Sequence, residues 1–146
     1  MTQEDKELLL KDLCARLTYG VKVHLLLPET MENGYTLTEV NTKGTTVGVF
    51  LDRGDDSRAF RAVRIENEYG EQSIKPYLRP MSSMTEEEYN DLCNSCTWLW
   101  FKDDLRTVTH GDYKCYDWLN AHHFDYRGLI EKGLAIEVTE ENNPYN

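Results

Sequence analysis

Long apolar runs are missing from this sequence. Leu8-Leu9-Leu10 and Leu25-Leu26-Leu27 are typical of what it holds, against the roughly 20 residues that a bilayer-crossing helix requires. A membrane-spanning role is therefore not expected. The first residues, Met1-Thr2-Gln3-Glu4-Asp5-Lys6-Glu7, lack the basic and then apolar order of an export signal, so a cytoplasmic location is predicted. Glycine and proline are scarce, at 9 and 4, which excludes collagen-like and low-complexity chains. Reactive signatures are absent too. There is no Gly-x-Ser-x-Gly, no His-Glu-x-x-His, no phosphate-binding Walker pattern and no dinucleotide fingerprint.

What remains is a chain of 146 residues, 40% hydrophobic and 29% charged, the size and composition of one domain that buries a core without staples. Its four cysteines are expected to be reduced thiols in a reducing compartment, with Cys14 and Cys115 as small core residues. The net charge of −10 disfavours general attraction to phosphate backbones or anionic lipid. The charge is uneven, however: residues 53–81 carry 6 basic and 5 acidic groups, while residues 82–146 carry 5 and 13.

Local patterns predict an α+β fold over residues 1–146. Thr2-Gln3-Glu4-Asp5 resembles a capping box, and Leu10, Leu13, Cys14 and Leu17 follow as one helical stripe. This N-terminal helix belongs to residues 1–20 and stops at Tyr19-Gly20. Over residues 21–80 the period becomes two. Strands are expected at Val21–Leu27, Tyr35–Asn41, Thr46–Asp52, Ala59–Glu66 and Ser73–Leu78, separated by turns at Asn33-Gly34, Lys43-Gly44, Gly54-Asp55-Asp56 and Tyr69-Gly70. Such a five-stranded antiparallel meander curls into a small SH3-like barrel or a curled sheet covered by helices.

Residues 81–138 read as helical. Thr85-Glu86-Glu87-Glu88 caps a helix running to about Phe101, and a short strand at Arg106–Thr109 follows. Asp112 caps a third helix from Tyr113 to His122, Asp125 caps a further turn or two from Tyr126 to Lys132, and alternation at Leu134, Ile136 and Val138 suggests a closing strand. The polar tail, residues 139–146, is expected to fray.

Three strings carry a resemblance: Lys6 to Leu17 (KELLLKDLCARL), Lys75 to Glu88 (KPYLRPMSSMTEEE) and Asp117 to Ile130 (DWLNAHHFDYRGLI). They resemble a family of short uncharacterised proteins from gut bacteria and the phages and prophages they carry. The resemblance covers roughly a third of the chain and its strings are long enough to be distinctive. It implies an accessory protein of a phage or mobile element, with a host or phage macromolecule, a protein before a nucleic acid, as its partner. It implies no activity and no cofactor.

Several constellations compete with ordinary structural roles. Cys93-Asn94-Ser95-Cys96 is a CxxC, usable in a small zinc protein or as a redox pair, but the other cysteines are isolated and the pair reads best as small residues in a helix seam. His122, His123 and Asp125 are acid-base residue types without a matching nucleophile. Arg58, Arg61, Arg64 and Arg79 would contact phosphate or carboxylate groups if they shared a face, as in a nucleic-acid-binding SH3-like module, although acidic residues are interleaved. The acidic C-terminal half also allows a DNA-mimic inhibitor. Among the dense aromatic residues, Trp118 and Tyr126 with Arg127 are the expected partner-binding set, because Trp, Tyr and Arg dominate binding hot spots. The expectation is a non-enzymatic macromolecule-binding protein, with no metal and no catalytic residue assigned.

Overall fold

The computed structural model describes residues 1–26, 35–41, 46–52, 58–102 and 107–145, with the backbone alone for 46–52, 58–61, 101–102 and 107–109. The first helix, α1 (Gln3–Arg16), starts where Thr2 Oγ1 accepts a hydrogen bond from Asp5 N at 3.1 Å. It passes through a 3₁₀ turn, Leu17–Tyr19, and ends at Gly20, whose φ of +69° is the left-handed conformation that glycine adopts without steric cost.

The stripe that α1 buries differs from the expected one. Leu9, Asp12, Leu13 and Arg16 face inward, Leu10 is only half-buried, and Cys14 is exposed. A helical face holding Asp12 and Arg16 is tolerated in the interior because the two charges pair, Arg16 Nε donating to Asp12 Oδ2 at 2.8 Å.

Five strands follow: β1 (Lys22–Leu25), β2 (Tyr35–Asn41), β3 (Thr46–Asp52), β4 (Arg58–Arg64) and β5 (Ile74–Pro80). Alternation sets the inward residues of β1 and of the first half of β2, and β1–β2, β2–β3, β3–β4 and β1–β5 are all antiparallel pairs. The expected Asn33-Gly34, Lys43-Gly44 and Gly54-Asp55-Asp56 turns lie outside the described residues. The Tyr69-Gly70 turn is present, with Asn67 Oδ1 accepting from Tyr69 N and Glu71 N, both at 2.9 Å. Here the ribbon bends back on itself: Glu66 bridges Gln72, and Ser73 N donates to Ile65 O at 2.9 Å. The result is a curled half-barrel whose strand order is β4-β3-β2-β1-β5.

The sheet is mixed rather than strictly antiparallel. A 3₁₀ turn at Met81–Ser83 leads into α2 (Glu86–Ser95), whose N-terminus carries the full Thr85/Glu88 capping box. This helix stops at Ser95 instead of reaching Phe101. A separate hairpin takes over, β6 (Leu99–Lys102) with β7 (Thr107–Gly111), because Trp98 to Lys102 is rich in residues that fit a pleated surface. Asp112 then caps α3 (Tyr113–Ala121) by accepting from Cys115 N at 3.2 Å. After α3 the chain adds β8 (Phe124–Asp125) and β9 (Ile136–Glu137), both parallel to β5. Residues 126–132, expected as a short helix, form turns, with Asp125 accepting from Leu129 N at 3.0 Å and Ile130 N at 2.9 Å.

Two clusters of buried side chains result. One joins Leu9 and Leu13 of α1 to the inner face of the sheet and to Leu129 and Leu134. The other packs Met81, Met84, Leu92, Cys115, Trp118, Leu119 and Phe124 among the helices. Arg16 links them, its Nη2 donating to the Phe124 carbonyl at 2.6 Å. The tail, expected to fray, makes contacts with the sheet through Tyr145. Tyr145 is tied down, its hydroxyl accepting from Lys22 N at 3.0 Å and donating to Tyr77 O at 2.7 Å. Among the described residues, no helix is long and apolar enough to cross a membrane.

Candidate binding groove between two helices

Helical spacing places four residues of α3 on one face: Tyr113, Tyr116, Asp117 and Asn120. Cys115, Trp118 and Leu119 face the core from the opposite side. Lys11 and Ala15, one turn apart on α1, confront the first face, and Tyr126 with Arg127 closes the base. Together they line an open groove of about 520 Å³.

Hydrogen bonds hold the floor of this groove. Tyr126 donates its hydroxyl to Asn120 Oδ1 at 2.9 Å, and Arg127 Nη1 donates to Asp12 Oδ1 at 2.9 Å. The Tyr126 ring lies 5.2 Å from the Tyr116 ring, with the Arg127 guanidinium 4.6 Å and the Arg16 guanidinium 5.3 Å from its centroid. Tyr19 braces the rim by donating to Asp117 Oδ1 at 3.0 Å. Desolvation raises the Tyr116 hydroxyl further above its ordinary value, so at neutral pH it is a neutral donor. The chemistry offered is a set of rigid amphipathic rings with an ammonium, a guanidinium and hydroxyl donors, suited to gripping a polar surface rather than to breaking bonds.

The expected partner-binding trio is divided. Tyr126 and Arg127 sit in the groove, whereas Trp118 is only 8% exposed and stacks on Phe124 at 5.8 Å. Its Nε1 donates to Asp91 Oδ2 at 2.8 Å, at the wall of a second, acid-lined hollow of about 370 Å³ that also takes Glu87, Glu88 and His122. Lys11, Tyr113, Tyr116, Asp117 and Asn120 did not stand out in the sequence. The α3 face was readable from its spacing, but nothing local announces that α1 lies opposite.

The four arginines stand on two strands that do not pair with each other. Arg58, Arg61 and Arg64 lie on β4 and Arg79 on β5, with β3, β2 and β1 between them in the strand order. Arg64 is exposed, and the side chains of Arg58 and Arg61 lie outside the described residues. Arg79 makes a bidentate pair with Glu88 at 2.7 and 2.8 Å and lies 4.2 Å over the Phe124 ring. That hydrogen-bonded guanidinium drives the Glu88 carboxyl down to about 2.

His122, His123 and Asp125 do not converge either. His122 shares a hydrogen bond between Nδ1 and Trp118 O at 2.8 Å and stacks on the Trp118 ring, while Asp125 is engaged by backbone N–H groups. His123 has a φ of +63° and stacks on Tyr145 with ring centres 3.8 Å apart, and its Nδ1 is buried without a hydrogen-bond partner. Burial, with the nearby Arg16, His122 and Arg79 charges, lowers its pKa to about 4. The folded state thus prefers the neutral ring, while the unfolded chain takes up a proton below about 6.5.

Between these two values the unfolded state binds more protons, so stability present above about pH 6.5 is lost as pH falls toward 4. Urea midpoints at pH 7 and pH 5 should show this drop. His123→Asn, which tolerates the left-handed backbone, should flatten it. The loss tied to Glu88 appears separately, at lower pH, as its carboxyl protonates between about 4.5 and about 2.

Among the described residues, no three side chains of His, Cys, Asp or Glu gather to hold a metal ion. Compared with protein-family models, with curated proteins and with solved structures, the chain matches none of them.

Proposed function

We propose that this chain is a non-enzymatic binding protein that grips a protein partner in the groove between α1 and α3, as an accessory factor of a phage or mobile element. The observation that carries this reading is the convergence of Tyr113, Tyr116 and Tyr126 with Lys11 and Arg127 on one groove whose floor is already hydrogen-bonded. Tyrosine supplies large contact area at small entropic cost, and preorganised donors lose little on binding. Tyr113 is 71% exposed, so a large ring is available to a partner. The separation of the acid-base residues favours binding over catalysis. The engagement of Arg79 by Glu88 weakens the case for a phosphate-tracking face.

The test is capture from host lysate by the immobilised chain, compared with Tyr113→Ala/Tyr116→Ala and with Arg64→Ala, each checked for native circular dichroism. The reading expects a protein enriched by the wild type, retained by Arg64→Ala and reduced roughly tenfold or more by the groove variant, since such rings each contribute on the order of 1 kcal/mol or more. Equal capture by the groove variant, or capture abolished by nuclease and by Arg64→Ala, would show that the groove is the wrong surface.

A further inference from the structure

The four cysteines are not equivalent. Cys93 is exposed near the end of α2, Cys96 is half-buried at its C-cap, and Cys115 is buried in the first turn of α3. Cys96 packs against the helical cluster that contains Cys115, so the two thiols approach each other there. One carboxylate sets that meeting: Asp112 accepts from Thr97 N at 3.0 Å and from Cys115 N at 3.2 Å, so it holds the residue after Cys96 against the start of α3. Gly111 contributes by absence. A Cβ there would stand 2.7 Å from Cys115 Sγ, closer than real atoms pack, so glycine leaves Cys115 its place.

We propose that Cys96 and Cys115 form a reversible disulfide, loaded through Cys93 by a low-molecular-weight disulfide of the glutathione class. A bridge needs two thiols brought together from separate elements, and the Asp112 clamp and the shared cluster bring these two to the same place. Entry at Cys93 follows from accessibility. Desolvation raises Cys96 above its ordinary thiol value and pushes Cys115 up to about 12, so neither offers much thiolate to an oxidant in solution.

The sequence of exchanges balances. The Cys93 thiolate attacks one sulfur of glutathione disulfide, forms a mixed disulfide and expels one glutathione thiolate. Cys96 releases its proton to solvent and attacks Cys93 Sγ, which breaks the mixed disulfide and expels the second glutathione. Cys115 then releases its proton and attacks Cys96 Sγ, which frees Cys93 as a thiolate and leaves the Cys96–Cys115 bond. The protein gives up two electrons and two protons, and glutathione disulfide becomes two glutathione thiols. The bridge joins the end of α2 to the helical turn that carries Tyr113 and Tyr116.

The experiment equilibrates the full chain at pH 8 with glutathione and glutathione disulfide in varied ratio, quenches with acid, alkylates free thiols, and maps the peptides by mass. The expected product is an intramolecular Cys96–Cys115 link, reversed by excess dithiothreitol. Cys93→Ser, an exposed change that leaves the fold intact, should slow its formation by about tenfold or more while reaching the same linked product. Cys115→Ala should stop at a Cys93–Cys96 bond. A wild-type chain that stays reduced, that accumulates only a glutathione adduct on Cys93, or that ends with Cys93 linked to Cys96 overturns the proposal. Unchanged kinetics in Cys93→Ser overturns the relay.

Discussion

Asp12→Ala should destabilise the protein by about 3–5 kcal/mol, the range for removing one partner of a buried ion pair. Asp12 is fully buried and accepts from two guanidinium groups, Arg16 Nε at 2.8 Å and Arg127 Nη1 at 2.9 Å. Arg16 is equally buried, and its Nη1 already lacks a partner. Without Asp12, the Arg16 charge would be left with the Phe124 carbonyl and the face of the Tyr126 ring. Since small domains hold only about 5–15 kcal/mol in total, the urea midpoint should fall steeply. The double change Asp12→Leu/Arg16→Met removes both charges and should recover most of the loss, because the cost lies in the stranded charge and not in the missing attraction. A double variant as weak as Asp12→Ala would refute that explanation. Arg127→Ala should be milder, as Asp12 keeps Arg16.

The same network places the groove. Arg127 and Tyr126 are oriented by Asp12, Arg16 and Asn120. On the proposed function, stability and recognition are coupled at this point: a variant that loosens Asp12 also frees the side chain that closes the base of the groove. Preorganised groups bind with less loss of entropy, so conservative changes around Asp12 should weaken partner capture before they unfold the chain.

Phe124→Ala is expected to cost about 3–5 kcal/mol, read from thermal or urea unfolding. The ring is fully buried among Met81, Met84, Leu92 and Leu119, stacks on Trp118, and carries Arg79 over one face at 4.2 Å. Removing it opens a cavity and takes away the surface on which the Arg79–Glu88 pair rests. Phe124→Leu keeps most of the volume and should cost less than about 1.5 kcal/mol. Its backbone roles are unaffected by either change, since the pairing of β8 with β5 and the carbonyl contact to Arg16 use main-chain atoms. A loss below about 1 kcal/mol in the alanine variant would mean that the helical cluster repacks freely.

How far the fold was legible depends on the range of the forces involved. Thr2, Thr85 and Asp112 announce helix starts because a cap is satisfied within three residues. The change of period at Val21 and the extents of β2 and β3 follow from alternation that each strand carries within itself. The end of α2 was misread because Cys96, Leu99 and Trp100 fit a helical spacing as well as a pleat, and the decision fell to the β7 partner and to Asp112, which takes Thr97 N out of the helix.

The sequence by itself thus determined the α+β class, the caps and the antiparallel pairing of each of β1 to β4 with its chain neighbour, all of which rest on interactions between near neighbours; the expected meander placed β5 beside β4, and the fold pairs it with β1 instead. Only the tertiary structure decided that Asp12 and Arg16 are interior residues, that β8 and β9 add in parallel to β5, that Tyr145 is anchored, and that Cys96 packs against the cluster holding Cys115. Each of these needs a partner from a separate element, as when Arg127 reaches Asp12 or Tyr145 reaches Tyr77. A charged residue on a helix looks solvated until the groups that neutralise it have been folded against it, and the two-residue β8 has no pattern of its own to read.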